Sequence, residues 1–196
     1  TFSVIDDDWN GSESFTATVE DAEYSESQTF TVTVDNVNDA PVLATVSDVL
    51  YDEDGTTTLD LSASDVDEDV LTFSILGGTY ITATLVDSQV TFTSETNFNG
   101  SETFTVSVED AEYTDSQIIT VTVNAVNDAP VLEAVSDQNM NEGGTKVLLL
   151  SASDVDEDEL IYSITDGTNI LPSIDGSTVT FSVIDDDWNG SESFTA

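Results

Sequence analysis

The stretch from residue 103 to residue 123 reads TFTVSVEDAEYTDSQIITVTV and contains two alternating segments around a polar turn. In the first segment Phe104, Val106 and Val108 alternate with Thr and Ser. In the second, residues 119–123, apolar residues alternate with Thr. Because successive side chains of a strand point to opposite faces, each segment predicts a strand with one buried face. Together they predict a β-hairpin.

The same alternation extends over the rest of residues 40–128 and predicts about seven short strands. Turn signals separate the strands at Gly77-Gly78, Asp87-Ser88 and Asn99-Gly100. No segment has a helical period. Many short strands at this spacing are typical of antiparallel Greek-key sandwiches. The sequence therefore predicts an all-β protein built from tandem seven-stranded Greek-key β-sandwich domains.

Internal repetition divides the chain. The segment VNDAPVL begins at Val37 and at Val126, which are 89 residues apart. The segment SASDVDED recurs at the same spacing, and residues 1–17 are identical to residues 180–196. We predict three segments: the C-terminal half of a repeat (1–39), a complete repeat (40–128) and the N-terminal part of a third (129–196). The third copy has one inserted residue, which we place in the loop that contains Pro172. We interpret the chain as part of a longer array of such repeats.

Charge restricts the possible partners. The chain has 41 Asp and Glu residues against one basic residue, Lys146, and a formal net charge of −40. A surface this negative repels nucleic acid and anionic lipid, which excludes both as partners. No segment approaches the 18 apolar residues of a membrane span, so we expect no membrane insertion by this segment.

The absence of Cys and His restricts the possible chemistry. It excludes disulfides, zinc and iron sites built on these residues, thiol catalysis and a Ser-His-Asp triad. Close carboxylate pairs could serve a glycosidase, but pairs repeated in every domain fit a structural cation better. We therefore predict that the chain is not an enzyme.

Acidic residues gather in loops at the predicted ends of the domains. One D-x-D-x-D cluster comprises Asp65, Asp67 and Asp69, and its copy begins at Asp154. Two like charges about 5 Å apart repel by roughly 3 kcal/mol at an effective dielectric constant near 20. A hard divalent cation removes this repulsion, and calcium prefers such oxygen ligands. These clusters therefore predict calcium sites.

Two further elements carry side-chain oxygens. Asp6, Asp8 and Asn10 precede Gly11 in the pattern that begins an EF-hand loop, but the twelfth position is Ala17, which has no ligand oxygen. A solvated acidic turn is the alternative interpretation of this loop. The second element is the linker DNVNDAP from residue 35, whose proline stiffens the entry into the next domain.

Four motifs in order resemble the cadherin family, especially the bacterial cadherin-like repeats of giant surface adhesins. They are a glutamate before Gly-Thr (YDEDGT, NEGGT), the aspartates of SASDVD, the strand aspartate of VEDAEY and the linker DNVNDAP. The resemblance covers the whole chain and implies calcium ions between consecutive domains. The implied ligands are Asp6, Asp8, Asp21, Asp35, Asn38, Asp39, Glu53, Asp65, Asp67, Asp110, Asn127, Asp128, Glu142, Asp154 and Asp156.

The resemblance also implies a function. Calcium would brace each junction and turn the array into a stiff rod, serving as the stalk or filament body of an extracellular bacterial adhesin. The expected partners are calcium, neighbouring repeats of the same chain and, through lateral self-association, other copies. A self-associating or polysaccharide-binding module is the alternative, which needs an exposed aromatic groove or apolar patch.

Overall fold

The computed structural model describes all 196 residues as β-strands and connecting loops, without a helix. None of its segments is therefore a helix able to span a bilayer. The chain forms two compact units, Thr1–Ala125 and Val126–Ala196. The all-β prediction is confirmed.

The first unit opens with a hairpin of strands β1 (Gly11–Glu20) and β2 (Ser25–Val34). Hydroxyl groups pair across one face of this hairpin, as in the 2.8 Å contact between Thr18 Oγ1 and Ser27 Oγ. The other face is apolar, where the Phe15 and Phe30 rings lie 5.9 Å apart. The alternation in the sequence thus gives the hairpin one polar and one apolar face.

A complete sandwich follows in the same unit. Its larger sheet has the strand order β4-β11-β10-β7, and a three-stranded sheet has the order β5-β9-β8. The short strands β3 and β6 form a separate two-stranded sheet. The strands are β3 (Val42–Leu43), β4 (Val49–Asp52), β5 (Thr56–Asp60), β6 (Ala63–Ser64), β7 (Thr72–Gly77), β8 (Ile81–Val86), β9 (Gln89–Ser94), β10 (Gly100–Glu109) and β11 (Thr114–Asn124).

Two of the seven expected strands are interrupted, which explains why nine elements are observed. The first expected strand is split into β3 and β4, and side chains of β11 hold the chain between them. The Leu43 N–H donates to Asp115 Oδ2 (2.8 Å) and the Val46 N–H donates to Gln117 Oε1 (3.0 Å). The second expected strand is likewise split into β5 and β6. Each interrupted strand contributes to two sheets.

The core of this sandwich consists of the side chains that the alternation selects. Phe92 and Phe104 are buried with ring centroids 5.4 Å apart, and Val106, Val108 and Val121 are fully buried. At about 25 cal/mol per Å² of apolar area removed from water, these side chains dominate the stability of the sandwich. The buried hydrophobic residues are Leu43, Tyr51, Leu61, Ile81, Val90, Phe92, Phe104, Val106, Val108, Ile119, Val121 and Val123.

The second unit repeats part of this architecture. Strands β13, β15 and β16 form an antiparallel sheet in the order β13-β16-β15, and β12 pairs with β14. Leu150, Val179 and Phe181 are its buried residues. The strands are β12 (Val131–Leu132), β13 (Thr145–Leu149), β14 (Ala152–Ser153), β15 (Ile170–Asp175) and β16 (Thr178–Val183).

The predicted position of the inserted residue is wrong. Pro172 lies within β15, opposite Phe181 of β16, and not in a loop. In the complete repeat Glu95 both donates its N–H to Tyr80 O and accepts the N–H of Phe98. In the third repeat Ile184 donates to Asn169 O, whereas Asp185 accepts from Trp188. The extra residue therefore lies after β16, where Ile184 is 62% exposed and lengthens the turn without disturbing the strands.

Candidate metal centre

The loop after β6 brings three carboxylates together. Each of Asp65, Asp67 and Asp69 contributes one carboxylate oxygen, and these three oxygens lie within 4.8 Å of one another. Asp65 Oδ1 accepts the backbone N–H of Asp67 (2.9 Å) and of Asp69 (3.4 Å), which curls the loop around this side chain. Asp65 Oδ2 is buried and accepts no hydrogen bond. The D-x-D-x-D spacing therefore gathers acidic oxygens on one side of the loop, as the sequence predicted.

The linker lies against this loop. The Asp39 N–H donates to Asp67 Oδ2 (2.7 Å), and Asn38 Nδ2 donates to Asp110 Oδ2 (3.0 Å). Asp110 follows β10, so three distant segments of the chain meet at one end of the sandwich. We call Asn38, Asp39, Asp65, Asp67, Asp69 and Asp110 the acidic end cluster.

Asp39 and Asp69 are the residues of this cluster whose pKa values are raised. Partial removal from water raises the pKa of Asp39 above its ordinary value, and the charges of Asp8, Asp67 and Asp65 raise it further. Removal from water likewise raises the pKa of Asp69, with repulsion from Asp65, Asp67 and Asp110 in the same direction. Asp8 therefore adds to the electrostatic repulsion that Asp39 experiences.

Asp110 is stabilised as an anion. Its Oδ1 accepts the backbone N–H groups of Tyr113 (2.7 Å) and Glu112 (2.6 Å), which lower the pKa of Asp110 below its ordinary value. Asp21 has the same arrangement, with N–H donors from Glu23 and Tyr24 that lower its pKa. Asp21 follows the ten-residue strand β1, about 30 Å from the Gly11 end of the hairpin. Asp21 is therefore remote from the acidic end cluster.

Asp6 and Asp35, two further ligands predicted for the first junction, lie in the loop before β1 and directly after β2. Asp6 caps its own turn, because its Oδ1 accepts the N–H of Asp8 (3.3 Å). Asp35 is exposed in the linker. Beside it, Asn36 Oδ1 accepts a hydrogen bond from Asn10 Nδ2 (2.9 Å), which ties the linker to the loop before β1.

A second group of oxygens lies at the opposite end of the sandwich, where β11 ends. Glu53 is only 6% exposed, and its N–H donates to the carbonyl oxygen of Asn124 (2.9 Å). Asp52 Oδ1 accepts from Asn124 Nδ2 (3.0 Å), and Asp54 Oδ1 accepts from the N–H of Asn97 (3.1 Å). A carboxylate this buried needs compensation for its lost hydration.

The second unit reproduces the D-x-D geometry. Asp154 Oδ1 accepts the N–H groups of Asp156 (3.0 Å) and Asp158 (3.3 Å), and Asp156 Oδ2 accepts the N–H of Asp128 (2.6 Å). Asn127 Nδ2 donates to Asp128 O (2.8 Å). The structure thus groups the four predicted ligands of this region: Asn127, Asp128, Asp154 and Asp156.

Glu142 differs from its counterpart Glu53. It is exposed, in a loop where Gly143 adopts a φ of 64° and faces Asp186. The common motif before Gly-Thr therefore produces a buried carboxylate in one repeat and an exposed one in the other.

The acidic end cluster fits calcium. It offers oxygen atoms alone, and residues 1–125 contain no Lys, Arg or His that could neutralise them. The buried Asp65 Oδ2, which has no donor, is where a cation would restore the missing interaction. Asp69 belongs to this cluster, as its D-x-D-x-D spacing predicted, although the resemblance to cadherins did not imply it as a ligand.

The opposed pKa shifts predict the pH dependence of stability in metal-free buffer. Asp39 and Asp69 titrate at higher pH when folded, so their protonation stabilises the fold as the pH falls through their raised pKa values. The pKa of Asp110 is lowered in the fold. Its carboxylate therefore stabilises the fold above pH 3.8, the ordinary pKa of Asp, and this stabilisation is lost as the pH falls below that value. We expect the thermal midpoint to rise as the pH falls from 7 towards the raised pKa values of Asp39 and Asp69, and to fall once the pH is below the ordinary value of 3.8.

Circular dichroism melts across this range provide the measurement, with D69N as the matched variant. We expect D69N to show a smaller rise in thermal midpoint as the pH falls from 7, because one of the two carboxyl groups with a raised pKa is gone. A thermal midpoint that falls steadily from pH 7 downward would show that the carboxylates of the cluster do not repel one another.

Comparisons with known proteins agree with the observed architecture. A family model described as bacterial Ig domain matches residues 38–122, less than half of the chain. Together with the strand order, this match shows an Ig- or cadherin-like fold for the complete repeat, consistent with an adhesion or structural extracellular module.

One protein similar in sequence and two solved structures similar in fold are described next. Chitinase A of Pseudoalteromonas piscicida is 29% identical over 134 residues, which cover 64% of this chain and 16% of the chitinase. Human protocadherin-24 EC1-2 (form II) has 22% identity and a TM-score of 0.48, over 72% of this chain and 79% of that chain. Mouse protocadherin-24 EC1-3 has 13% identity and a TM-score of 0.48, over 88% of this chain and 66% of that chain.

Proposed function

We propose that this chain is a calcium-rigidified structural array, a non-catalytic stalk or filament body of an extracellular bacterial adhesin or matrix fibre. The observation that carries the proposal is the acidic end cluster, in which Asp65 Oδ2 is buried and accepts no hydrogen bond. In a chain with a net charge of −40, a bound cation would offset the repulsion among the carboxylates of this cluster.

Each residue of the cluster has a distinct part in this proposal. Asp65, Asp67 and Asp69 supply carboxylate oxygens from the complete sandwich, while Asn38 and Asp39 supply oxygens from the linker. Bound calcium supplies positive charge that joins the linker to the loop after β6. The chain's own hydrogen bonds, from Asp39 N–H to Asp67 and from Asn38 to Asp110, already orient these groups.

Calcium outside cells is millimolar, and extracellular calcium modules usually bind with dissociation constants of roughly 10⁻⁴–10⁻³ M. Such affinity keeps the sites filled outside the cell and empty inside it. Without calcium, the carboxylates repel one another and the linker bends. With calcium, the array resists bending, which is the property that a stalk requires.

Small-angle X-ray scattering of the 196-residue chain tests this function. We expect calcium to narrow the distribution of interatomic distances and to increase the maximum dimension, because the linker no longer samples bent states. Magnesium at equal ionic strength is the control, since it keeps its waters and prefers a smaller octahedral site. Scattering curves that superpose in calcium and in chelator would rule out rigidification.

The chitinase match supports a second candidate, a polysaccharide-binding module within a larger protein. The exposed aromatic residues Tyr24 (76%), Tyr113 (47%) and Trp9 (38%) are the groups that could stack on sugar rings. Sedimentation of the chain with insoluble chitin would favour this candidate, whereas retention in the supernatant would favour the structural one.

A further inference from the structure

The larger sheet of the complete repeat carries a pair of apolar side chains on its solvent side. Leu76 of β7 and Ile118 of β11 both lie directly opposite Thr105 of β10 in the strand register. Directly opposite residues point to the same face of a sheet, and neighbouring strands are about 4.8 Å apart, so the two side chains lie about 10 Å apart with Thr105 between them. Each of the two is 74% exposed. The pair therefore faces solvent and not the core.

This pair lies in the middle of the sandwich. All four strands of the sheet lie within residues 49–124. Ile118 is six residues, or about 20 Å, from Asn124 at the end of β11, and four residues from Thr114 at its start. Adjacent repeats connect at the ends of the strands, through the linkers 35–41 and 124–130. The pair is therefore exposed independently of the residues that precede or follow the repeat.

Three outward residues of this sheet are apolar in the complete repeat and polar in the flanking repeats, 89 residues away. They are Leu50, Leu76 and Ile118, and their counterparts are Asn139, Thr165 and Thr29. Leu50 is 64% exposed, so none of the three is needed to fill the core. Apolar residues that gather on one solvent-facing surface typically mark contact with another molecule.

The same surface carries no charge. Eleven outward residues of β7, β10 and β11, which we call the outer face, are uncharged: Thr72, Ser74, Leu76, Ser101, Thr103, Thr105, Ser107, Ser116, Ile118, Thr120 and Thr122. In a chain with a net charge of −40, this is a surface that a second acidic molecule can approach without placing carboxylates against carboxylates. The outer face has no aromatic side chain on which a sugar ring could stack.

We propose that the outer face is a lateral contact surface for the outer face of a second copy of this chain. The charge of the chain favours this occupant. A cationic partner would bind the acidic loops, whereas a second copy brings a face that is equally uncharged and equally apolar at its centre.

The geometry of the outer face suits such a pair. Two sheets pack face to face about 10 Å apart with their strands roughly aligned. Leu76 and Ile118 lie on either side of Thr105. A twofold axis that runs parallel to β10 above Thr105 therefore places Leu76 of each copy against Ile118 of the other.

The size of the outer face sets the strength of the contact. Three strands span about 14 Å and six residues about 20 Å, so each copy buries roughly 300 Å². The total of roughly 600 Å² is below the ~1,200 Å² of stable complexes, so a single contact is weak. In an array of the kind proposed above, two neighbouring arrays make many such contacts at once. This gain rests on the proposed function, whereas the single contact does not.

The contact requires no calcium, because no residue of the outer face belongs to the acidic end cluster. Each experiment is therefore run both in calcium and in chelator, at 0.15 M salt, where repulsion between the acidic loops is screened beyond about 8 Å. Loss of the calcium response would leave this association in place, and loss of the association would leave the calcium response in place. The two proposals therefore fail separately.

Chemical cross-linking tests the position of the contact in a chain that has no native cysteine. T105C places a thiol at the centre of the outer face. T84C, the control, places one on the exposed side of β8 in the smaller sheet. Each variant is treated at roughly 1 mM, because a contact of this area is weak, with a bismaleimide whose reactive ends are about 10 Å apart, the spacing of packed sheets. We expect about tenfold more cross-linked dimer from T105C by intact mass, since only its thiols are held at a high effective concentration.

Variants that copy the flanking repeats test the apolar pair by sedimentation equilibrium. We expect the parent chain to be about half dimeric at roughly 1 mM and to have the monomeric mass of 20.9 kDa when dilute. L76T and I118T together reproduce the threonines of the flanking repeats, and we expect them to abolish the dimer and to reduce T105C cross-linking to the level of T84C. V86D copies Asp175 on the outward side of β8 and is expected to retain the dimer. Circular dichroism shows that each variant remains folded.

A mass of 20.9 kDa in both buffers at every concentration up to roughly 1 mM would overturn the proposal. So would equal cross-linking of T105C and T84C, or equal loss of the dimer in V86D and in the double variant. Cross-linking of T105C that depends on Leu76 and Ile118, in either buffer, would support it.

Discussion

Replacing Asp65 by Asn is expected to weaken calcium binding by about 100-fold, equivalent to about 2.7 kcal/mol. Asp65 Oδ1 holds the loop through the N–H groups of Asp67 and Asp69, and its buried Oδ2 is the oxygen without a donor. In D65N one carboxylate oxygen becomes an NH₂ group, which cannot ligate a cation. The cluster also loses one negative charge.

Isothermal titration calorimetry with calcium measures this effect, and D60N is the control of equal charge. Asp60 is exposed on β5 and accepts a hydrogen bond from Gln89 (2.8 Å), which an asparagine oxygen can still accept. We expect the affinity of D60N to lie within about twofold of the parent, because salt and water screen the charge of an exposed side chain that does not ligate the ion. Equal losses in D60N and D65N would mean that calcium is held only by the diffuse charge of the surface.

Replacing Phe104 by Ala is expected to lower the free energy of unfolding of the first unit by about 4 kcal/mol. Phe104 is 1% exposed, packs edge to face on Phe92, and fills the space beside Gly77 and Gly78. The φ of Gly78 is 81°, and a β-carbon there would lie 2.8 Å from the Phe104 ring. The backbone is therefore shaped around this ring and cannot collapse readily into the cavity that its loss leaves.

Urea denaturation followed by tryptophan and tyrosine fluorescence measures the loss. I118A is the control, because Ile118 lies in the neighbouring strand β11 but is 74% exposed. We expect I118A to change the free energy of unfolding by less than about 0.5 kcal/mol. Losses of similar size in the two variants would contradict the assignment of the core.

The fold could be predicted because its main determinant is local. Alternation with a period of two marks both the strands and their buried faces, and Phe104, Val106 and Val108 are buried as their pattern indicates. The interruption between β3 and β4 could not be predicted in this way. It depends on Asp115 and Gln117, which lie 72 and 71 residues from the backbone groups that they bind.

The candidate site was predictable where its ligands are neighbours in sequence. The spacing of Asp65 and Asp67 positions both carboxylates at one loop, and the copy at Asp154 behaves identically. The contact between Asn38 and Asp110 spans 72 residues and followed only from the resemblance to cadherins. Burial of Glu53 and exposure of Glu142 depend on tertiary packing, which a shared motif does not encode.

Anomalous diffraction at long wavelength, from crystals of the chain grown in millimolar calcium, tests the central claim most directly. The account predicts an anomalous peak at the acidic end cluster, with carboxylate oxygens of Asp65 and Asp67 about 2.3–2.6 Å from it. Electron density without a peak there, with the same carboxylates turned towards water, would contradict it.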